Sequence, residues 1–148
     1  MKTKDDVIAW IDKNGPRFTA ISDAIWERPE PQHREFFASR LQAEFLEKEG
    51  FRTTWDIGGL RTAFISEWGK DRPIIGFIGE YDSLAGLSQK RQPTPEPVEP
   101  GGWGHGCGHN LLGTAAFGAA VAPKRELEAR GLPGTVRRYG CPAEESLP

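Results

Sequence analysis

Along the first fifty positions, apolar residues recur at helical spacing. Val7, Ile8 and Ile11 share one face of a helix expected over 4–13, which Asn14-Gly15-Pro16 should stop. Phe18, Ile21 and Ile25 repeat the spacing in a second helix that ends before Pro29. Phe37, Leu41 and Phe45 stripe a third, opened by Pro31 and closed by Gly50 as a C-terminal cap. These stripes read as packing faces.

The period then changes to two. Phe51, Thr53, Trp55 and Ile57 alternate as in a half-buried strand, Gly58-Gly59 turns the chain, and a second strand is expected over 61–66. In PIIGFIGEYD the apolar residues Ile74, Ile75, Phe77 and Ile78 run almost without interruption, which predicts a strand buried on both faces. Pro93, Pro95, Pro97 and Pro100 make 88–102 an irregular loop. A helix is expected from Asn110, a good N-cap, to Arg130, with Gly131 ending it and a kink or break at Pro123. Its Gly- and Ala-rich first half allows close approach to a sheet. A strand over 135–140 follows, then CPAEESLP.

Strands alternating with a helix over 73–140 imply a parallel α/β arrangement, in which ligands bind beyond the carboxyl ends of the strands. Two acidic pairs stand at such ends: Glu80 with Asp82, and Glu144 with Glu145. Between them, GWGHGCGHNLLG places His105, Cys107 and His109 in five positions, although the chain has only three histidines and two cysteines.

Composition narrows the function classes. The 148 residues are 37% hydrophobic and 27% charged, ordinary for one globular domain, and the net charge of −2 gives no footprint for nucleic acid. MKTKDDVIAWIDK lacks the apolar stretch of an export signal, and LLGTAAFGAAVA is shorter than the ~20 residues of a membrane helix. A cytoplasmic location is therefore expected, where thiols stay reduced and a Cys107–Cys141 disulfide is disfavoured. Cys141 reads as a small buried residue and His33 as a solvated one on the outer part of a helix.

Thiolate and imidazole are good ligands for divalent transition metals. Cys107 and His109 are two residues apart and would diverge on a regular helix, but Gly104, Gly106 and Gly108 let both face one ion. The competing reading is a flexible loop with an incidental thiol. His105 either contacts a ligand or substrate or is merely a loop residue. Of Glu80 and Asp82, one could bind a metal or orient a ligand histidine, as carboxylates behind metal sites do; otherwise they are a solvated pair. Beside a metal, Glu144 and Glu145 suggest a division of labour, one holding the ion and the other taking a proton from water.

With these residues in view, the sequence resembles the amidohydrolase branch of the aminoacylase/carboxypeptidase family of dinuclear metallohydrolases. The likeness lies in GEYDSLAG (79–86), GHGCGHNLLGTAA (104–116) and YGCPAEE (139–145), with IWERPE (25–30) resembling the family's N-terminal helix motif. It implies that Cys107, His109 and Glu145 are metal ligands, Glu144 the general base and Asp82 the acidic residue supporting the site. It further implies two divalent ions per complete site, manganese or zinc. The thiolate favours zinc on softness, whereas this branch is often manganese-dependent, so the ion stays open. The implied reaction is hydrolysis of the amide bond of N-acyl or N-aroyl amino acids of the p-aminobenzoyl-glutamate type. The partners implied are a small acyl-amino acid or dipeptide-like substrate and, in relatives, a dimer mate or second subunit, with neither nucleic acid nor membrane.

The implied fold is an α/β catalytic domain, a mixed sheet flanked by helices, with an inserted lid that also dimerises. The resemblance implies that family members run a few hundred residues further and supply two more histidine ligands. Residues 1–148 are therefore expected to be the truncated N-terminal portion of the catalytic domain, with the lid absent, an open apolar sheet edge and negligible activity alone. The alternative from another class is a non-catalytic metal-binding or interaction module.

Overall fold

The computed structural model describes residues 4–146; Met1–Thr3 and Leu147–Pro148, the ends of the expected 1–148 unit, lie outside the described residues. Helices α1 (Lys4–Glu27) and α2 (Phe36–Lys48) lead into strands β1 (Arg52–Trp55), β2 (Phe64–Gly69) and β3 (Ile74–Glu80). A two-residue ladder, β4 (Leu84–Ala85) with β5 (Trp103–Gly104), brackets the proline-rich loop. Helix α3 (His109–Arg130) and strand β6 (Thr135–Cys141) are the last elements of the described residues. The main sheet is mixed, in the order β1-β2-β6-β3, with β3 and β6 parallel and the other pairs antiparallel. The β3-α3-β6 crossover is the parallel unit expected from the sequence.

Both prolines expected to interrupt helices lie inside them. α1 runs unbroken through Gly15-Pro16, and α3 through Pro123. A proline removes one N–H and orphans the carbonyl four residues earlier. Those carbonyls belong to Asp12 and Ala119, both exposed residues, so water can take the place of the missing donor. Packing offsets the remaining cost: across Pro16, the rings of Trp10 and Phe18 meet edge to face at 5.9 Å. α2 starts at Phe36 rather than at Pro31, and residues 31–34 form a turn that holds His33 at φ 62°, exposed but off the helix. The helix ends as expected, with Gly50 at φ 89°.

Helices α2 and α3 cover one face of the sheet, and α1 packs against both of them. Gly79 of β3 lies so close to α3 that an added Cβ would press on Ala116 and the backbone of Gly113, and Gly113 in turn touches Gln42 of α2. The core beneath them holds Ile25, Phe45, Leu46, Phe64, Phe117 and Val136, with Phe45 and Phe117 rings 4.6 Å apart. Arg138 is also fully buried there, its guanidinium over the rings of Phe64 and Tyr81 and bonded to Gln42 Oε1. Burial lowers its pKa to about 10.

The expectation that β3 is buried on both faces is not met. Among the described residues β3 is the sheet's edge, paired only with β6, and α3 covers one side; Ile74 and Ile78 stand 43% and 66% exposed. On that open face the antiparallel half carries cross-strand charges, Glu67 lying against Arg52 and Arg137. The apolar run therefore forms an exposed strip along an unpaired edge. Among the described residues no helix is long and apolar enough to cross a membrane.

Candidate metal centre

Three chain segments meet at one end of the sheet. Parallel pairing sets Glu80 opposite Cys141, so the segments leaving β3 and β6 run out side by side, carrying Asp82 and Glu144-Glu145. The glycine loop enters between them. Gly108 takes φ 80° as the N-cap of α3, which makes His109 the first helical residue. Asn110, expected as the cap, lies inside the helix and donates to Ser22 Oγ at 3.0 Å, tying α3 to α1.

Asp82 and His109 are 1% and 2% exposed, and Asp82 Oδ1 lies 2.8 Å from His109 Nδ1. An ionised carboxylate can only accept, so Nδ1 carries the hydrogen and Nε2 is turned towards the opening. There Nε2 faces Glu144 Oε2 at 3.6 Å and Glu145 Oε1 at 3.9 Å. Asp82 Oδ2 accepts the Glu145 N–H at 2.9 Å, so one buried carboxylate fixes both the imidazole and the glutamate loop. Donor atoms of Cys107, His109 and Glu145 all lie within 4.8 Å of one another.

Without a metal, the site combines a mutually stabilised Asp82–His109 pair with a thiol whose ionisation the neighbouring carboxylates oppose. Burial raises the Asp82 pKa, but hydrogen bonds from His109 and the Glu145 amide outweigh it and leave the carboxyl below its ordinary value. The His109 pKa is raised, chiefly by the hydrogen bond to Asp82 and against the opposing effect of burial. The nearby Glu145 carboxylate holds the Cys107 thiol above its usual pKa, with burial and the other carboxylates adding to it. Glu145 Oε1 is buried without a hydrogen-bond partner. An orphaned carboxylate oxygen, an imidazole lone pair and a thiol around one point fit a divalent transition metal. Both cysteines are free, as a metal-site reading requires of Cys107; Cys141 is half-buried.

The chain is 51% identical over 138 residues to a subunit of p-aminobenzoyl-glutamate hydrolase from Escherichia coli (strain K12), a match covering 91% of this chain and 28% of that protein. It is 34% identical over 153 residues to human Xaa-Arg dipeptidase, covering 91% and 31%. Among solved structures, a Bacillus subtilis dinuclear metal binding peptidase of the M20 family superposes with a TM-score of 0.67 at 27% identity, covering 88% of this chain and 36% of that one. Over the residues it spans, this chain is similar to these hydrolases and to an M20-family peptidase. It spans less than a third of the length of the curated relatives it matches, and no family model matches it.

Of the residues singled out in the sequence, Cys107, His109, Glu145, Glu144 and Asp82 converge, while Glu80 is outside the convergent set of donor atoms. His105 is 5% exposed and points inward: Nε2 lies 3.2 Å from the Ile25 carbonyl, and the ring stacks against Trp26 at 6.4 Å. It ties the glycine loop to α1. The sequence reading gave no role to Glu35, whose fully buried carboxylate accepts the Ala143 N–H at 2.9 Å. The only sequence signal is indirect. Glu35 follows IWERPE, whose Glu30 carbonyl accepts both the N–H and the hydroxyl of Ser83, next to Asp82.

Proposed function

We propose that residues 1–148 are the N-terminal portion of the catalytic domain of a metal-dependent amidohydrolase acting on N-acyl or N-aroyl amino acids of the p-aminobenzoyl-glutamate type. The observation that carries the reading is the convergence of Cys107, His109 and Glu145 within 4.8 Å, braced by Asp82 and flanked by Glu144. Cys107, His109 and Glu145 would hold the ion, zinc or manganese. A divalent cation there supplies Lewis acidity, which acidifies water and polarises an amide carbonyl.

The chain's own side chains do the rest. Asp82 holds His109 in the tautomer that presents Nε2 outward. Glu144, with its side chain 54% exposed, stands at the mouth, where its carboxylate can accept a proton from water and return it to the leaving amine. Three donors fill only part of a dinuclear centre, so the remaining ligands are expected from residues beyond those matched here. The Escherichia coli relative is named as one subunit of its hydrolase, which supports a second subunit as partner. Two free cysteines fit a reducing, cytoplasmic compartment.

The test is a chimera in which 1–145 replaces the matching segment of the Escherichia coli relative, expressed with its partner subunit. Hydrolysis of p-aminobenzoyl-glutamate is expected, falling by about 10²–10⁴-fold in Glu144→Gln. A folded, metal-loaded chimera that turns over no acyl- or aroyl-amino acid contradicts the proposal. The isolated chain is expected to be inactive. Chelation separates catalysis from a metal held only for structure: the core around Phe45, Phe117 and Val136 is complete without an ion, so the fold should survive metal removal.

A further inference from the structure

Glu35 occupies an odd position for a fully buried carboxylate. It is the N-cap residue of α2, yet its side chain makes no capping bond to that helix. Capping falls to Glu30, whose carboxylate accepts the N–H groups of Phe37 at 2.9 Å and Ala38 at 2.9 Å. The Glu35 carboxylate turns the other way. Oε1 accepts the N–H of His33 at 2.8 Å and of Ala143 at 2.9 Å, and Oε2 accepts the Thr62 hydroxyl at 2.8 Å. Both oxygens are thus used, at a helix N-terminus whose dipole favours a negative charge.

The Ala143 donor sets the function. Ala143 sits at φ 58°, a conformation that L-residues adopt only under constraint, and it directly precedes Glu144 and Glu145. A hydrogen bond from a backbone N–H to a buried carboxylate is short and strong. It anchors the loop two residues before the Glu145 N–H, which Asp82 holds at 2.9 Å. Two buried carboxylates therefore grip alternate amides of the 143–145 segment, one from the helical layer and one from the end of β3. The same 30–35 turn also holds the Asp82 loop, through Ser83 on the Glu30 carbonyl and Gln32 Nε2 on the Ser83 carbonyl at 3.0 Å.

We propose that Glu35 is a positioning residue of the metal centre, fixing the Ala143 turn so that Glu145 faces Cys107 and His109 and Glu144 stays at the mouth. The proposal rests on the metal-site reading above.

The test compares Glu35→Met, similar in length but without an acceptor, with Glu35→Gln, which can keep an acceptor oxygen where Oε1 lies. Two readouts apply to the 148-residue chain. One is Cd²⁺ titration followed by thiolate-to-metal absorption, with Cys107→Ala as the blank. The other is amide hydrogen exchange. Glu35→Met is expected to weaken Cd²⁺ binding by about 10–100-fold, the range for groups that support metal ligands. It should raise exchange selectively at Ala143 and Glu145, with the β2 and β6 amides unchanged. Glu35→Gln should restore binding to within about threefold. Equal Cd²⁺ affinity in wild type and Glu35→Met, or faster exchange spread through the whole sheet, overturns the proposal. Should Glu35→Met fail to fold, the wild-type Ala143 amide still decides: protection comparable to β6 supports the anchor, and free exchange refutes it. Absence of any Cys107-dependent signal in wild type instead defeats the metal-site reading, which the exchange arm does not require.

Discussion

Replacing Asp82 by alanine removes the group that joins the imidazole to the glutamate loop. Its two oxygens make charge-assisted bonds of 2.8 Å to His109 and 2.9 Å to the Glu145 amide, at a side chain 1% exposed, so solvent screens neither. A hydrogen bond to a charged group contributes about 1.5–3 kcal/mol, and breaking a buried charged pair from one side costs about 3–5 kcal/mol. The opening beside Glu144 and Glu145, with side chains 54% and 19% exposed, lets water reach part of what is left unpaired. The loss should thus fall near the lower end, about 3 kcal/mol. Urea unfolding of metal-free protein in EDTA at about pH 5.5, where His109 is charged and Asp82 ionised, measures it. A difference below about 1 kcal/mol, the ordinary scatter of point mutants, would refute the claim that Asp82 is the keystone of the site.

Other outcomes follow from the same geometry. The Asp82 pKa is depressed on folding, so its contribution is present above the unfolded value of about 3.9 and lost as pH falls through the lower folded value. The His109 pKa is raised, so its contribution is complete below about 6.5 and lost as pH rises through the higher folded value. Metal-free protein should therefore have its highest Tm between these limits, and His109→Gln should flatten the alkaline side; an unchanged alkaline fall in that variant contradicts the assignment. Phe117→Ala empties a fully buried site against the rings of Phe45 and Phe18 and should cost about 3–5 kcal/mol in urea unfolding. Gly113→Ala would drive a Cβ into the Glu80 carbonyl where α3 crosses β3; it should lose about 2 kcal/mol despite alanine's helix preference, and a stabilised variant would show that the contact yields.

Much of the site was legible because its chemistry sits on sequence-local signals. Glycines around Cys107 and His109 marked a loop free to aim both side chains inward, and an apolar run before Glu80-Tyr81-Asp82 and a strand pattern before Cys141-Pro142 marked strand ends. Parallel pairing of β3 with β6 then brings those ends together. What periodicity missed depended on tertiary context. Pro16 and Pro123 signal breaks locally, but each orphans a carbonyl on an exposed residue, and ring packing across Pro16 holds that helix together. The run from Ile74 to Ile78 has the composition of a doubly covered strand, yet position in the sheet rather than composition decides what lies on each face. Glu35 was invisible because its three donors come from residues 2, 27 and 108 positions away, and no local pattern encodes that.

The most direct test of the central claim is anomalous diffraction from crystals of the chain soaked in Zn²⁺ or Mn²⁺. A single strong peak is expected within bonding distance, about 2.0–2.4 Å, of Cys107 Sγ, His109 Nε2 and a Glu145 oxygen together, with Asp82 still on His109 Nδ1. A peak elsewhere, or none at this cluster under saturating metal, contradicts the account.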